Sequence, residues 1–388
     1  MHDPVDFYAV MDELTPAQRA AWDDLRALAT DVIDPVADRA WLEGRFPMEV
    51  IPAFGRYAEK HLAADGYQWP PADPVRMGLV KLELGRRDPS MASFFAVHWG
   101  LAMSSIHAFG SPEQHDRWIG PMTRFEKIGS FALSEPEVGS DAARGLRCVA
   151  TPERGGWRLD GQKKWSGNAT FADVIVVIAN AGERAVHGFL LEPGTPGLHI
   201  ARIDDKIAKR SVENVVITLD GCWVPESARL PKLASFGAVA QTLAMGRFAV
   251  AWEACGIAMG AYEAAHRYAM GRQQFGKPIA GFQLVQAKLV DMLQEITASQ
   301  CLLMQLGRLA ERGALDAGRA SLAKVQCAGA MRRVVATARE VLGGNGILLE
   351  YGVAKLFADA EAVYSYEGTQ DMNTLIVGKH ITGLSAFV

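Results

Sequence analysis

The chain has 388 residues, 49% of them hydrophobic and 22% charged, with a formal net charge of −4. That length exceeds one ordinary core and points to two or three packed domains of a soluble globular protein. The charge offers no general attraction to nucleic acid, and no apolar run approaches the ~20 residues that cross a bilayer, so neither partner is expected.

Helical periodicity runs from Thr15 to about Ile128. Leu14-Thr15-Pro16-Ala17 reads as a helix start, with Thr15 as cap and Pro16 in the first turn. A loop marked by Pro70, Pro71 and Pro74 precedes a second helix over Val75 to Arg87, and a further helix is expected from Phe94 to Phe109. Between Gly129 and about Pro231 the period shortens. Arg147 to Thr151, Trp157 to Leu159, Val174 to Ala179, Phe189 to Leu191 and Val215 to Leu219 are β-rich runs. They are separated by turns at Gly155-Gly156, Asp160-Gly161 and Pro193-Gly194, which suggests a small antiparallel sheet or barrel. After Ser235 helix returns, with Met245, Phe248, Trp252, Cys255, Met259 and Tyr262 on one seam. Phe282, Val285, Leu289, Met292, Ile296, Leu303 and Leu306 form another, as in long antiparallel helices. The expected architecture is α+β and mainly α. A helical domain spans residues 1–128, an antiparallel β domain 129–234 and a helical bundle 235–388.

Cys148, Cys222, Cys255, Cys301 and Cys327 show no C-x-x-C, and the histidines no H-x-x-x-H. No disulfide framework and no metal site are expected, and Cys255 and Cys301 read as packing residues. The acidic start MHDPVDFYAVMDELTP lacks the order of a secretory signal, and Ser385-Ala386-Phe387-Val388 matches no peroxisomal or lipidation signal. A cytoplasmic location is the reading. The nearest run to a dinucleotide fingerprint, Leu342-Gly343-Gly344-Asn345-Gly346, has Leu349 where the third glycine should fall. A nucleotide cofactor must therefore be held in another way.

FALSEPEVGSD (Phe131 to Asp141), KKWSGN (Lys163 to Asn168), RQQFGKPIAGFQ (Arg272 to Gln283), LGGNGI (Leu342 to Ile347) and YEGTQD (Tyr366 to Asp371) follow one another along the chain. This series resembles the acyl-CoA dehydrogenase superfamily in motif and order, most of all the glutaryl-CoA dehydrogenase and plant-type short-chain acyl-CoA oxidase branches. The resemblance implies a helical domain, a β domain and a four-helix bundle, in a homotetramer or homodimer. It also implies FAD, an acyl-CoA substrate, and either an electron-transferring flavoprotein or O2 as electron acceptor.

The resemblance assigns the residues as follows. By itself Glu367 would read as a solvated carboxylate at a helix end; within Tyr366-Glu367-Gly368-Thr369 it becomes the base that removes the thioester α-proton. An apolar, water-poor pocket would make such a carboxylate more basic. Phe131, Ser134, Gly139 and Ser140 belong to a flavin loop, with Ser140 also near the CoA chain, and Trp165, Ser166 and Gly167 would lie against the flavin. Arg272, Phe275 and Gln283 would reach the diphosphate of a neighbouring subunit's FAD, for which a guanidinium is well shaped. Glu340, Leu342, Gly343 and Gly344 would face that cofactor half, and Thr369, Asp371 and Phe387 would also contact the cofactor. Arg247, Tyr366 and Gly368 would contact the substrate.

Three departures stand out. Asp88-Pro89-Ser90-Met91-Ala92-Ser93 puts Ala92 where glutaryl-CoA dehydrogenases carry an arginine for the distal carboxylate, which disfavours a glutaryl substrate. Gly167 replaces a hydroxyl residue and could open space for oxygen beside the flavin, the basis for an oxidase or flavin-oxygenase alternative. Glu340 adds a negative charge that needs a partner near a diphosphate. The net charge and an intact Glu367 argue against a non-catalytic or DNA-associated member of the fold.

Overall fold

The computed structural model describes residues 4–182 and 185–387. The N-terminal helices are α1 (Pro16–Leu28), α2 (Asp34–Glu43), α3 (Ile51–His61), α4 (Pro74–Arg87), α5 (Pro89–Phe95), α6 (Ser104–Phe109) and α7 (Pro112–Thr123). Thr15 caps α1 by accepting from Gln18 N, while the Gln18 side chain accepts from Thr15 N. This reciprocal pair satisfies two donors that a helix start leaves open. The single helix expected from Phe94 to Phe109 is instead a composite, with a wider π segment at Ala96–Met103 between α5 and α6. No Gly-Pro punctuation announces that change.

The middle sheet comprises β1 (Gly129–Ala132), β2 (Val149–Glu153), β3 (Gly156–Ser166), β4 (Val174–Asn180), β5 (Val186–Leu191), β6 (Leu198–Arg202) and β7 (Val215–Pro225), with short helix α8 (Ala142–Gly145) after β1. The sheet is not wholly antiparallel as expected: β1 runs parallel to β4, with Gly129 opposite Val174 and Ala132 opposite Val177. Strand β1 enters straight from the helical domain, and its partner comes three strands later, so local alternation gives no sign of the pairing. Neither β1 nor β6 falls on a β-rich run expected from the sequence. On β4, Val174, Val176 and Ile178 face the N-terminal aromatics, including Phe94 and Trp99. Ile175, Val177 and Ala179 face Leu159, Ile217 and Leu219. Burial on both faces explains why this strand is a continuous apolar run.

The C-terminal part holds α9 (Phe236–Gly271), the hairpin β8 (Gln273–Gln274) and β9 (Lys277–Pro278), α10 (Gln283–Glu311), α11 (Ala317–Val341), α12 (Val353–Ser365) and α13 (Gln370–Thr382). Phe248, Trp252, Cys255, Met259, Met292, Ile296 and Leu303 form its buried core, together with Cys327 and Met331 from α11. Cys301, expected to pack, is exposed, because it falls between the buried positions Gln300 and Leu303 on α10.

Helix α4 of the first domain crosses α9 of the third at close range. A Cβ on Gly256 would lie 1.9 Å from the Leu82 carbonyl oxygen, and one on Gly85 would lie 2.6 Å from the Glu253 carbonyl oxygen. Only glycine permits that approach. The crossing sets Lys81 of α4 directly against Glu253 of α9.

Candidate active site

The turn between α12 and α13 carries Tyr366, Glu367 and Gly368. Both Glu367 (φ 54) and Gly368 (φ 85) occupy the left-handed region. For a glutamate this is a strained backbone, the kind that persists where surrounding structure enforces it. Enforcement is visible. Asn373 Nδ2 donates to the carbonyls of Glu367 (3.2 Å), Gly368 (2.8 Å) and Thr369 (3.1 Å). Lys324 Nζ donates to those of Tyr364 (2.7 Å) and Gly368 (3.0 Å). Thr369 caps α13 by accepting from Met372 N.

This turn swings the Glu367 carboxylate over Gly246 of α9. A Cβ on Gly246 would stand 2.6 Å from Glu367 Oε2, so any side chain there would displace the carboxylate. Burial raises the Glu367 pKa, opposed by the charges of Arg247, Lys324 and Lys81 and reinforced by Glu253. The outcome is a carboxylate more basic than a solvated one, as a proton acceptor requires. Arg247 has its pKa lowered by burial. Its buried Nε finds no acceptor among the described residues, an available donor beside the Glu367 carboxylate. Burial pushes Lys324 down to about 8 despite the pull of Glu367.

The second half of the site lies between the loop after β1 and the C-terminal end of β3. Glu135 is buried and bonds to Lys163 Nζ (2.8 Å), Arg147 N (2.7 Å) and Cys148 N (3.0 Å), which anchors the loop from Phe131 to Asp141. Burial would raise the Glu135 pKa, but these donors together hold it below the usual carboxylate value. Lys164 N donates to the Ser134 carbonyl at 2.8 Å, and Ser130 Oγ donates to the Gly167 carbonyl at 2.7 Å. The loop is thereby laid along Trp165, Ser166 and Gly167. Trp165 is 53% exposed with φ 72, so its ring is presented rather than packed. Ser166 Oγ is buried without a partner among the described residues. An exposed indole beside an orphaned hydroxyl fits the edge of a planar polar cofactor. Phe131 is different: at 8% exposed it is part of the core under the sheet. Gly139 and Ser140 are exposed.

The residues assigned to a neighbour's cofactor lie elsewhere. Arg272 and Gln283 are exposed, and Phe275 is 94% exposed at the tip of the β8–β9 hairpin. Leu342 is buried at the end of α11, whereas Gly343 and Gly344 have open space where a Cβ would project. Asp371 is exposed and Phe387 is 38% exposed. Glu340 has the partner it needs, Lys288 Nζ at 2.7 Å. A Cβ on Gly167 would meet Val212 Cγ1 at 3.3 Å and Val97 Cγ2 at 3.5 Å, close to ordinary contact, so a small side chain would nearly fill the space that the glycine leaves.

Sequence reasoning missed Gly246, Lys324, Asn373 and the group Lys81, Lys209 and Glu253. The available signal was a charge inside an apolar stripe: Lys324 among Ala320, Ala323, Cys327 and Ala328, and Glu253 between Trp252 and Ala254.

A helical domain, a β domain and a helical bundle around a strained, half-buried glutamate define a family, and the chain belongs to it: the acyl-CoA dehydrogenases, whose members are flavin oxidoreductases. The family's N-terminal domain matches residues 15–126, its middle domain 130–222 and its C-terminal domain 236–382. The human mitochondrial short-chain specific acyl-CoA dehydrogenase is 32% identical over 80% of this chain and 76% of its own length. A glutaryl-CoA dehydrogenase from Mycobacterium smegmatis is similar in structure, with a TM-score of 0.95, 36% identity and full coverage of both chains. Another from that organism, solved in complex with FADH2, is similar with a TM-score of 0.95, 30% identity and the same coverage.

Proposed function

We propose that the protein catalyses FAD-dependent α,β-dehydrogenation of a short- or medium-chain acyl-CoA thioester. The observation that carries this reading is the half-buried Glu367 carboxylate, held over Gly246 by a left-handed turn and made more basic by desolvation. Glu367 takes the α-proton. Arg247, with its free buried donor, contributes positive charge beside the reacting thioester. FAD, when bound, supplies the acceptor for the β-hydride. Trp165, Ser166 and the Ser134 loop would hold the flavin of the same chain, and Ser140 would line the CoA entrance. Arg272, Phe275, Gln283, Gly343 and Gly344 would hold the other half of FAD across a subunit contact. The exposed apolar groups Phe275, Leu284, Ile381 and Leu384 support such a homo-oligomer.

A glutaryl substrate remains disfavoured. Ala92 is fully buried, and the nearby Lys81 ammonium, 2.6 Å from the Ala92 carbonyl, is already paired with Glu253. Electrons would leave the reduced flavin for an electron-transferring flavoprotein, with O2 as the alternative acceptor. Anaerobic addition of butyryl-CoA to FAD-loaded protein should bleach the flavin absorbance. On admitting air, recovery should be slower than turnover with an artificial acceptor. A flavin that butyryl-CoA and longer thioesters leave oxidised would sink the reading; fast recovery in air would replace it by an oxidase.

A further inference from the structure

Three charged side chains to which no contact with substrate or flavin is assigned meet beneath the catalytic turn. Lys81 comes from α4 in the first domain, Lys209 from the segment between β6 and β7, and Glu253 from α9. Their exposures are 1%, 4% and 1%. Glu253 Oε2 lies 2.8 Å from Lys81 Nζ, and Oε1 lies 2.6 Å from Lys209 Nζ. The Tyr366 hydroxyl donates to the same Oε1 at 2.7 Å. Lys81 Nζ also donates to the Ala92 carbonyl, and Lys209 Nζ to the Pro89 carbonyl. The Lys209 backbone is tied down as well, its N–H donating to Asp359 Oδ1 at 2.5 Å. Burial alone would raise the Glu253 pKa, but Lys209 and Lys81 outweigh it and hold it at about 2.

Burying such a cluster costs desolvation that apolar side chains of similar size would avoid, so packing alone does not account for it. Its position does. Tyr366 immediately precedes Glu367, so the hydroxyl anchored on Glu253 holds the strained turn from one side while Asn373 and Lys324 hold it from the other. The cluster also joins all three domains at one point.

We propose that Lys81, Lys209 and Glu253 form an interdomain ionic clamp that positions Glu367 through Tyr366 and sets the electrostatic field in which the base works. The inference rests on the reading of Glu367 as that base. The charged groups acting on Glu367 are Arg247 and Glu253 from α9, Lys324 from α11 and Lys81 from α4. Lys81 favours the carboxylate and Glu253 opposes it. Losing Lys81 therefore makes Glu367 harder to ionise, whereas losing the Tyr366 hydroxyl leaves every charge in place and only loosens the turn.

The test compares Lys81→Met, Lys81→Arg and Tyr366→Phe in FAD-loaded protein with two readouts. One is the pH dependence of flavin bleaching by butyryl-CoA. The other is an isotope-edited infrared titration of the Glu367 carboxyl, identified as the band that Glu367→Gln removes. Lys81→Met should move the Glu367 midpoint upward by about one pH unit or more, as expected when an opposite charge nearby is lost. Lys81→Arg should restore the wild-type midpoint. Tyr366→Phe should slow bleaching while the midpoint stays in place. An unmoved midpoint in folded Lys81→Met protein would overturn the clamp, as would equal shifts in Lys81→Met and Tyr366→Phe. Should Lys81→Met not fold, Lys81→Gln, which keeps a donor without the charge, carries the same expectation. If butyryl-CoA fails to bleach even the wild type, the dehydrogenase reading falls while the infrared titration still decides the clamp.

Discussion

The Glu367 turn and the β8–β9 hairpin represent two ways of building half a site. Around Glu367 every constraint comes from the same chain: Asn373, Lys324 and the Tyr366–Glu253 bond fix the backbone, and charges from α4, α9 and α11 surround the carboxylate. The hairpin is the opposite. Phe275 (φ 50) and Gly276 (φ 78) form a tight left-handed turn that carries an almost wholly exposed ring. The chain thus completes the turn proposed to handle the proton internally and presents the parts assigned to cofactor retention outward, where a second copy can meet them.

Variants can break that contrast, and the largest effect belongs to the base. Glu367→Gln should lower flavin reduction by acyl-CoA about 10²–10⁴-fold, the usual contribution of a general base, with FAD retained. Near-normal reduction would remove Glu367 from the mechanism. The same variant should unfold at a higher temperature than wild type at neutral pH. A carboxyl whose pKa is raised by folding destabilises the folded state once ionised, and this cost is absent below the unfolded value near 4.5. The gap in Tm should therefore close as pH falls below that value, and a gap that persists in acid would show that the gain has another cause.

Next in size is Glu253→Ala, which leaves Lys81 and Lys209 buried without their partner. The expected cost is about 3–5 kcal/mol in urea unfolding, against well under that for a typical surface change. A cost in the surface range would mean that water or a rearranged side chain replaces the carboxylate. Arg272→Ala, in contrast, should leave stability untouched because the side chain is exposed. It should weaken FAD retention by about 10- to 100-fold, the value of a charge-assisted hydrogen bond of ~1.5–3 kcal/mol. Unchanged retention, measured by flavin release on gel filtration, would remove the hairpin from the cofactor site.

The same contrast governs what the sequence discloses. The Glu367 turn is contiguous, and its neighbours Gly368 and Thr369 are one and two residues away, so a short motif marks it. The end of β3 at Trp165 and Ser166 is legible for the same reason. The clamp is assembled from positions 81, 209 and 253, whose local contexts are an apolar helix, a loop and another apolar helix. Only the glycine-permitted crossing of α4 on α9 and the anchoring of the Lys209 loop on Asp359 bring them together. Packing of this kind leaves no local period to read. The parallel pairing of β1 with β4 escaped for a related reason, since alternation along a strand says nothing about its neighbour's direction. The π segment at Ala96–Met103 likewise keeps the apolar content of an ordinary helix.

The exposed hairpin has a kinetic corollary. If Arg272, Phe275 and Gln283 complete a neighbour's cofactor site, holoenzyme formation contains a bimolecular step between protein chains. Dilution would then release flavin and activity together, and recovery on adding FAD would accelerate with subunit concentration instead of following FAD concentration alone.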